Sequence, residues 1–421
     1  MTKLHTVDYL FLYSIISIWL LLLFNVILTL SGYMYYLNIK SKKIDILKEL
    51  KVFPMISILI PAHNEEKVIN KTLKSVLALD YPEDRFEIIV INDNSVDNTG
   101  VILSDIKKRY KDRKIKVITT DKITGGKGKS NALNIGFKEV VGEYVVVYDA
   151  DNTPEKLSLR YLVYAITKDK NLGAVIGKFR TRNKNKNLLT RFINIETISF
   201  QWMSQAGRWK LFKLCTIPGT NFIIRKDILN KLGGWDVDAI AEDTEISFRI
   251  YKIGYRISFM PLSVTWEQEP EKLNIWFKQR NRWAQGNIYV LIKYFKRILK
   301  ERNYSVIFDL YYFFSVYFLF LSSVIISDII FILGIFTPIK VSLSGNFVII
   351  WLLAYILFVL EISIALTMEK GESNSKNLLL VLIMYFTYCQ LWLVVAIRGF
   401  VSYIRGGILK EKIKWYKTER F

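Results

Sequence analysis

The chain is poor in the residues that most often bind transition metals or act as nucleophiles, with two cysteines and two histidines in 421 residues. Cys215 and Cys389 offer neither a disulfide framework nor the spacing of a metal site. His5 and His63 are too few for a zinc site or a histidine-based triad. We therefore expect any acid–base chemistry to rely on carboxylates.

Negative charge is also scarce, since 38 acidic residues stand against 59 basic ones and the formal net charge is +21. Such an excess can indicate nucleic-acid binding, but here the basic residues cluster beside hydrophobic segments. Attraction to anionic lipid head groups explains that placement more economically. We expect contact with membrane lipid and no nucleic acid.

Long apolar runs are abundant, because 51% of the residues are hydrophobic and the mean hydropathy is +0.22. Residues 9–39 contain no charge and are long enough to cross a hydrocarbon core of about 30 Å. This run is too long for a signal peptide and lacks a small-residue cleavage site, so it predicts a retained anchor. Three further spans are predicted at 310–336, 345–368 and 377–397.

The distribution of basic residues predicts the membrane topology. Lysines at 40, 42, 43, 48 and 51 follow the first span, which places the soluble region in the cytoplasm by the positive-inside rule. Three later spans would then leave the basic C-terminal tail outside, against the same rule. Either 310–336 is a bent pair of short helices or one apolar stretch is re-entrant. We expect a cytoplasmic tail.

Apolar strands alternate with helices in the soluble region. Strands are predicted at 56–60, 87–91, 115–119 and from Val145, and Asn64 to Glu66 are predicted to cap the first helix. This alternation is typical of a parallel, doubly wound α/β sheet, which binds ligands at the carboxyl ends of its strands. Four candidate site residues fall at or near those ends: Asp93, Lys129, Asp149 and Asp151.

The fourth strand ends in two carboxylates, Asp149 and Asp151. In an extended backbone, residues i and i+2 point to the same side. Two anions so close repel by about 4 kcal/mol at a surface-like dielectric, so a divalent cation or a base between them would stabilise the pair. A solvated pair of aspartates at a strand end is the alternative that the local sequence leaves open.

The glycine-rich loop at 125–128 does not carry the P-loop or the Rossmann fingerprint. Lys127 or Lys129 could lie beside a leaving diphosphate, and a solvated loop lysine is the alternative. Residues 184–213 form a basic amphipathic pattern, which fits a helix on the bilayer surface or, alternatively, a packed core helix. The segment 218–226 is predicted to form a turn and strand at the floor of a pocket.

Two further motifs carry chemistry in the C-terminal half of the soluble region. Glu242-Asp243 lies at the start of an amphipathic helix, where Asp243 could cap the helix or act in catalysis. In Gln279-Arg-Asn-Arg-Trp283, the Trp283 ring could stack on a sugar, and Arg280 and Arg282 could bind phosphates. An interfacial anchor is the alternative for this segment.

Taken in order, these motifs make the chain similar to glycosyltransferase family 2, and specifically to the processive membrane synthases of β-linked polysaccharides such as cellulose, hyaluronan, chitin and poly-N-acetylglucosamine. The resemblance covers residues 54 to about 290. Five motifs carry it: Pro61-Ala-His-Asn64-Glu65, Asp93, Asp149-Ala-Asp151, Glu242-Asp243 and Gln279-x-x-Arg282-Trp283. Each is weak alone, but five in order are specific.

The resemblance implies an α/β fold of GT-A type, with a doubly wound, mixed and mainly parallel sheet plus transmembrane and interfacial helices. It implies inverting transfer from UDP-N-acetylglucosamine or UDP-glucose with Mg²⁺ or Mn²⁺. Asp93 would contact uridine, Asp149 and Asp151 would hold UDP and the cation, and Asp243 would be the general base. The other candidate substrate-binding residues are Pro61, Asn64, Glu65, Lys129, Glu242, Gln279, Arg280, Arg282 and Trp283.

The family pattern divides the chain into an anchor with its basic stop (1–44), a cytoplasmic glycosyltransferase domain (45–270), interfacial helices (271–303), a membrane bundle (304–404) and a basic tail (405–421). The bundle could carry a growing polysaccharide outward, with or without small membrane or export partner subunits. Candidate linings of that channel are Tyr311, Tyr312, Asp328, Glu361, Tyr388 and Gln390. A non-processive enzyme with a lipid acceptor is the nearest alternative, and an inactive nucleotide-binding scaffold is a more distant one.

Overall fold

The computed structural model describes residues 5–295, 304–337, 341–342 and 347–409, the last four of these by their backbone alone. Its centre is an eight-stranded sheet in the order β3-β2-β1-β4-β7-β6-β8-β5. The strands are β1 (Ile56–Ala62), β2 (Phe86–Asn92), β3 (Ile115–Thr119), β4 (Tyr144–Val147), β5 (Thr153–Pro154), β6 (Leu172–Thr181), β7 (Phe222–Arg225) and β8 (Arg256–Glu267).

The sheet is mixed and mostly parallel, as predicted. Strands β3, β2, β1 and β4 are all parallel, with Ile58 of β1 opposite both Ile88 of β2 and Val146 of β4. Strands β1, β2 and β4 are buried on both faces, which explains their nearly continuous apolar sequences, whereas β3 lies at the edge of the sheet and exposes Lys116 and Thr119. Strand β7 enters antiparallel between β4 and β6, while β6 and β8 pair in parallel.

Short helices cover the sheet on both faces. They are α2 (Lys43–Glu49), α3 (Ile69–Leu77), α4 (Thr99–Arg109), α5 (Lys129–Phe137), α6 (Ser158–Lys168), α9 (Lys226–Leu232) and α10 (Glu242–Lys252), with a 3₁₀ turn at Glu83–Arg85. The prediction that residues 64–66 cap α3 is wrong, because α3 begins at Ile69. Instead, Asn64 Oδ1 accepts a hydrogen bond from Val96 N, and Glu66 Oε2 accepts one from Asn98 N, so both tie down the loop after β2.

The amphipathic segment predicted for the bilayer surface is largely packed inside the protein. It forms α7 (Leu188–Ser199), a π-helical stretch (Phe200–Gly207) and α8 (Arg208–Phe212). Phe192, Ile195 and Trp202 are at most 5% exposed, which confirms the alternative of a packed helix. Gln201 exchanges two hydrogen bonds with the backbone of Phe179, so β6 holds the face that lipid was predicted to cover.

Three helical segments are long and apolar enough to cross a membrane, among the residues that the structure describes: Thr6–Ser41, Tyr304–Phe336 and Phe347–Thr367. The first is α1. The second comprises α12 (Tyr304–Phe314), a π-helical stretch (Ser315–Phe320) and α13 (Leu321–Phe336). The third is α14 (Phe347–Thr367). These apolar helices confirm a membrane protein.

The fourth apolar stretch is bent by 46° between α15 (Ser375–Met384) and α16 (Tyr388–Leu409). One predicted option was a bend within residues 310–336. That option is wrong, because these residues belong to one continuous helical segment and the bend lies between α15 and α16. Helix α16 packs along α11 (Leu273–Phe295): the Arg398 guanidinium lies 5.5 Å from the Phe277 ring, and a Cβ on Gly399 would lie 2.8 Å from Ala284 Cβ. This geometry leaves both a broken span and a re-entrant stretch open, and most of the basic tail lies outside the described residues.

A cluster of ion pairs joins the membrane helices to the sheet. Glu369, in the connection after α14, pairs with Lys178 and Arg180 of β6 and accepts a hydrogen bond from Trp202 Nε1 at 2.8 Å. Glu372 pairs with Arg180 at 2.7 Å and with Lys184. We call these five charged residues the docking cluster. Both glutamate side chains are at most 6% exposed, so the cluster fixes the end of α14 against the soluble domain.

We expect Glu369→Ala to lower the free energy of unfolding by about 3–5 kcal/mol, because it leaves buried cations without their partner. Thermal unfolding of the detergent-solubilised protein measures the effect. Asp227→Ala is the control, since its pair with Lys231 is exposed and 3.9 Å long, and such pairs contribute little. Equal losses in the two variants would contradict a stabilising role of the docking cluster.

Candidate active site

One cavity of about 650 Å³ runs from the carboxyl ends of the parallel strands into the membrane helices. The sequence motifs converge on its wall although they are up to 222 positions apart. Its lining includes Pro61, Glu65, Asp93, Lys129, Asp149, Asp151, Glu242, Asp243, Gln279, Arg280, Arg282 and Trp283. Asn64 is the one predicted substrate-binding residue outside the lining, because its side chain is bound to the loop after β2.

The two carboxylates after β4 lie in a turn and not in extended backbone as predicted. The strand ends at Val147, and Asn152 N donates to Asp149 O at 3.0 Å to close the turn. Asp149 N donates to Thr220 Oγ1 at 3.1 Å, and Thr220 Oγ1 donates to Asn152 Oδ1 at 2.5 Å. The turn is therefore held by the loop before β7, and both carboxylates still border the cavity.

Lys129 joins three parts of the cavity wall. Its Nζ lies 2.6 Å from Asp149 Oδ1 and 3.7 Å from Glu242 Oε1, and it donates to Gly219 O at 2.7 Å. Burial lowers the pKa of Lys129, but Asp149 and Glu242 outweigh that effect and the net pKa is raised above its usual value. The side chain is 17% exposed, so the alternative of a solvated loop lysine is wrong.

Asp93 is oriented by the glycine-rich loop. Its Oδ1 accepts hydrogen bonds from Gly126 N and Thr120 Oγ1, both at 2.9 Å. Gly126 has a φ of +70°, and a Cβ at Gly125 would lie 2.5 Å from Asp93 Oδ1, so both positions favour glycine. The loop therefore binds the protein's own carboxylate, which agrees with its lack of a phosphate-binding pattern.

The Glu242-Asp243 pair begins helix α10 without capping it. Ala241 is the N-cap residue, and Asp243 Oδ1 accepts only a local hydrogen bond from Thr244 N at 2.7 Å. The capping alternative is therefore wrong, and Asp243 borders the cavity. Burial raises the pKa of Asp243 to about 7, with Glu242 adding to the rise and Lys129 opposing it. A carboxyl with a pKa near neutrality can take up and release a proton under physiological conditions.

The membrane helices close the far side of the cavity. Their contribution is aromatic and apolar with a few polar groups, and it includes Tyr312, Phe313, Val316, Tyr317, Phe320, Leu321, Val324, Phe358, Tyr385, Gln390, Trp392 and Leu393. Asn287 of α11 links the two halves, since its Oδ1 accepts from Thr244 Oγ1 at 3.0 Å and its Nδ2 donates to Tyr317 OH at 2.7 Å.

Only two of the six predicted channel-lining residues border this cavity, namely Tyr312 and Gln390. Tyr311 faces outward and is 55% exposed, whereas Glu361 is buried among the membrane helices. Asp328 lies elsewhere on α13, and Tyr388 is fully buried with its OH donating to Glu196 Oε2 at 2.6 Å. The sequence identified polar residues inside spans but not the helix rotation that decides which of them face inward.

The carboxylates fit a divalent cation that shares its ligands with a substrate. Asp149 and Asp151 both border the cavity, but the described residues hold no group of three or more acidic, histidine or cysteine side chains that could bind a metal alone. Mg²⁺ is commonly held by one or two carboxylates plus substrate phosphates. The site therefore suits a cation that arrives with a diphosphate.

The chain belongs to glycosyltransferase family 2. A sequence profile described as "Glycosyltransferase like family 2" matches residues 54–286, which is more than half of the chain. This match confirms the family that the motif order predicts. The protein is therefore a glycosyltransferase, and its apolar helices indicate that it is a membrane protein.

Relatives and solved structures agree with this assignment. The probable glycosyltransferase YdaM of Bacillus subtilis (strain 168) is 49% identical over 412 residues, covering 98% of each chain. The poly-beta-1,6-N-acetyl-D-glucosamine synthase of Staphylococcus epidermidis is 35% identical over 279 residues, covering 65% of this chain and 66% of that synthase. The mannosyltransferase PcManGT from Pyrobaculum calidifontis, solved with GDP-Man and Mn²⁺, matches 91% of this chain and 99% of its own with a TM-score of 0.58 at 20% identity. That likeness confirms the predicted GT-A type fold.

We expect Gly219→Ala to reduce sugar transfer by about tenfold or more, because small displacements of reacting groups are costly. A Cβ at Gly219 would lie 3.0 Å from Asp243 Oδ2, and its φ is +89°. Gly233→Ala is the matched control, since its φ is +71° but nothing lies within 4 Å of the added Cβ. Rates of donor turnover measure the difference. Equal rates in the two variants would show that the loss comes from backbone strain at positive φ and not from displacement of Asp243.

Proposed function

We propose that the protein is an inverting, cation-dependent synthase that transfers sugars from a UDP-sugar to the end of a β-linked polysaccharide and passes the product into the membrane helices. The observation that carries the proposal is the continuity of the cavity. The carboxylates around Lys129 and the aromatic wall of the membrane helices border the same space. A product that leaves the transfer site inward therefore enters the membrane region directly.

The proposed donor end is built around Asp93, Lys129 and the Asp149–Asp151 turn. Asp93 would bind the uridine, while Asp149 and Asp151 would hold UDP with Mg²⁺ or Mn²⁺. When bound, the cation neutralises charge that develops on the departing diphosphate. The similarly folded mannosyltransferase solved with GDP-Man and Mn²⁺ indicates that this fold accommodates a nucleotide sugar and a divalent cation together.

The proposed reaction is a single displacement at the anomeric carbon. The acceptor hydroxyl oxygen forms the new glycosidic bond, its proton passes to an Asp243 carboxylate oxygen, and the bond from the anomeric carbon to the diphosphate oxygen breaks to release UDP. Arg282 borders the cavity and opposes the rise in the pKa of Asp243, so its positive charge acts close to this carboxylate. Arg282 would stabilise the leaving diphosphate.

A carbohydrate acceptor is supported by the polar and aromatic groups around the transfer site. Trp283 borders the cavity with 38% of its surface exposed, and an indole face can stack on a sugar ring. Gln390 adds an amide that can hydrogen-bond to a hydroxyl. The homologous synthases named for poly-beta-1,6-N-acetyl-D-glucosamine support N-acetylglucosamine as the sugar. The donor would come from the cytoplasm, which requires the soluble domain to lie there.

A lipid acceptor is the second candidate, and the inner part of the cavity favours it. Phe313, Phe320, Val324 and Phe358 form an apolar wall in the membrane region. Such a wall suits an alkyl chain that reaches the site from the bilayer. The product would then be a lipid that carries one sugar, and nothing would need to cross the membrane.

Membranes that contain the protein, supplied with radiolabelled UDP-N-acetylglucosamine or UDP-glucose, decide between these products. We expect a high-mass polymer that organic solvent does not extract, with UDP-N-acetylglucosamine preferred. An organic-extractable lipid with one sugar would contradict polymer synthesis and support the second candidate. Asp243→Asn is the inactive control: removal of the base should lower turnover by about 10²- to 10⁴-fold while UDP binding stays near that of the parent. Asp238→Asn, on an exposed residue, should behave as the parent does.

The raised pKa of Asp243 predicts a pH dependence of transfer. The base must be deprotonated to accept the acceptor proton, and its pKa in the free protein is about 7. We therefore expect kcat/KM to rise with pH and to level off above an inflection near 7. Initial rates at limiting donor concentration, measured across this range, test the expectation. A profile without an inflection between about pH 5 and 8 would exclude Asp243 as the titrating base.

A further inference from the structure

A second pair of charges lies in the cavity wall, apart from the carboxylates around Lys129. Arg280 Nη2 of α11 lies 3.1 Å from Glu196 Oε2 of α7, and Arg280 is 1% exposed. The same Glu196 oxygen accepts a hydrogen bond from Tyr388 OH at 2.6 Å. Arg280 Nη1 donates to Gln279 Oε1 at 3.0 Å. The guanidinium is therefore held by groups from two different helices.

The Arg280 guanidinium lies under the Trp283 ring. Its Cζ is 3.9 Å from the centroid of that ring, and it is 5.9 Å from the ring centroids of Trp276 and Trp392. A guanidinium over an indole face gives a favourable cation–π contact, which strengthens when water is excluded. Trp283 is 38% exposed and borders the cavity, so part of this residue stays accessible to a substrate while Arg280 packs against its ring.

Arg280 and Arg282 therefore play different parts. Residues i and i+2 on a helix do not face the same direction. Arg282 lies close enough to Asp243 to oppose the rise in its pKa, whereas Arg280 is already paired with Glu196. The predicted contact of Arg280 with the diphosphate would require it to break this buried pair, so the geometry favours another role.

We infer that the Glu196–Arg280 ion pair is a positioning device for Trp283, which holds the indole at the angle needed to stack on a sugar ring of the acceptor. Glu196 fixes the guanidinium, and the guanidinium fixes the ring. Both are positioning residues, because they act through Trp283 on the substrate. The inference rests on the proposed function in one respect, namely that the acceptor is a carbohydrate.

Arg280→Lys tests the role in acceptor binding. Lysine keeps the charge next to Glu196 but loses the flat surface under Trp283. We expect kcat/KM for an added oligosaccharide acceptor to fall by roughly tenfold, since misplaced substrate-positioning groups reduce rates by up to about 10²-fold. The dissociation constant for UDP and the slow hydrolysis of the donor by water should stay near those of the parent. Parallel loss of UDP binding, donor hydrolysis and transfer would overturn the inference and assign Arg280 to the diphosphate.

A spectroscopic measurement tests the positioning without relying on the proposed function. The protein is labelled with 5-fluorotryptophan, and the ¹⁹F resonance of Trp283 is assigned by its absence in Trp283→Phe. We expect Glu196→Gln and Arg280→Lys each to shift or broaden this resonance. Arg249→Lys is the matched control, because its pair with Glu245 is 2.7 Å long but lies outside the cavity lining, and it should leave the resonance unchanged.

The two measurements separate the possible failures. An unchanged Trp283 resonance in both Glu196→Gln and Arg280→Lys would overturn the positioning role whatever the acceptor is. A changed resonance in a protein that makes only a glycolipid would contradict the proposed polymer synthesis and the sugar-stacking role, while the mechanical link from Glu196 to Trp283 would stand.

Discussion

The structure depends on the docking cluster at the junction of the sheet and the membrane helices. The active-site cavity has two walls, one from the strand ends and one from α12 to α16, and neither wall encloses it alone. Glu369 and Glu372 hold the connection after α14 against β6 through Lys178, Arg180 and Lys184. Buried charges of this kind are costly to desolvate, and separating the two walls would leave the buried cations without their partners.

Within the cavity, a similar principle keeps the acidic groups together. Three carboxylates, Asp149, Glu242 and Asp243, would repel one another if no cation lay among them. Lys129 is the protein's own counter-ion, because its ammonium group pairs with both Asp149 and Glu242. The same ammonium group also donates a hydrogen bond to the Gly219 carbonyl. Burial, with a smaller contribution from Glu242, nevertheless raises the pKa of Asp243, and this is the carboxyl to which we assign the role of base.

Much of the fold could be predicted because the sequence patterns that determine it lie within short segments of the chain. The apolar strands β1 to β4 are bounded by turn residues, and their alternation with helices determines a parallel sheet whose strand ends meet. Asp93 and Asp149 follow the ends of β2 and β4, so their proximity could be predicted, whereas Asp243 on α10 and Arg282 on α11 were expected there only from the family resemblance. The turn at Asp149 to Asn152 could not be predicted in the same way, because Thr220, 71 positions after Asp149, holds it. The antiparallel insertion of β7 likewise depends on pairing between distant segments.

The buried ion pairs of Glu196 and Arg208 could not be predicted for one physical reason. When an apolar helix carries a single charge, its local sequence does not show whether that charge contacts lipid head groups or pairs with another buried charge. Glu196 on α7 and Arg208 on α8 belong to a segment that looks interfacial, yet Glu196 pairs with Arg280 and Arg208 with Asp309 inside the protein. The partners come from α11 and α12, and only the tertiary structure brings them together.

Helix α1 crosses the π-helical stretch at Phe200–Gly207 closely, and this crossing bears on the order in which the protein assembles. A Cβ at Gly32 would overlap the Trp202 carbonyl, and a Cβ at Gly207 would overlap the Leu28 backbone, so the two helices can approach this closely only with glycine at both positions. Trp202 Nε1 also donates a hydrogen bond to Glu369, in the connection after α14. During translation this crossing can therefore form only after residue 207 has been synthesised, and the cavity wall from the membrane helices only after the chain has reached Leu393.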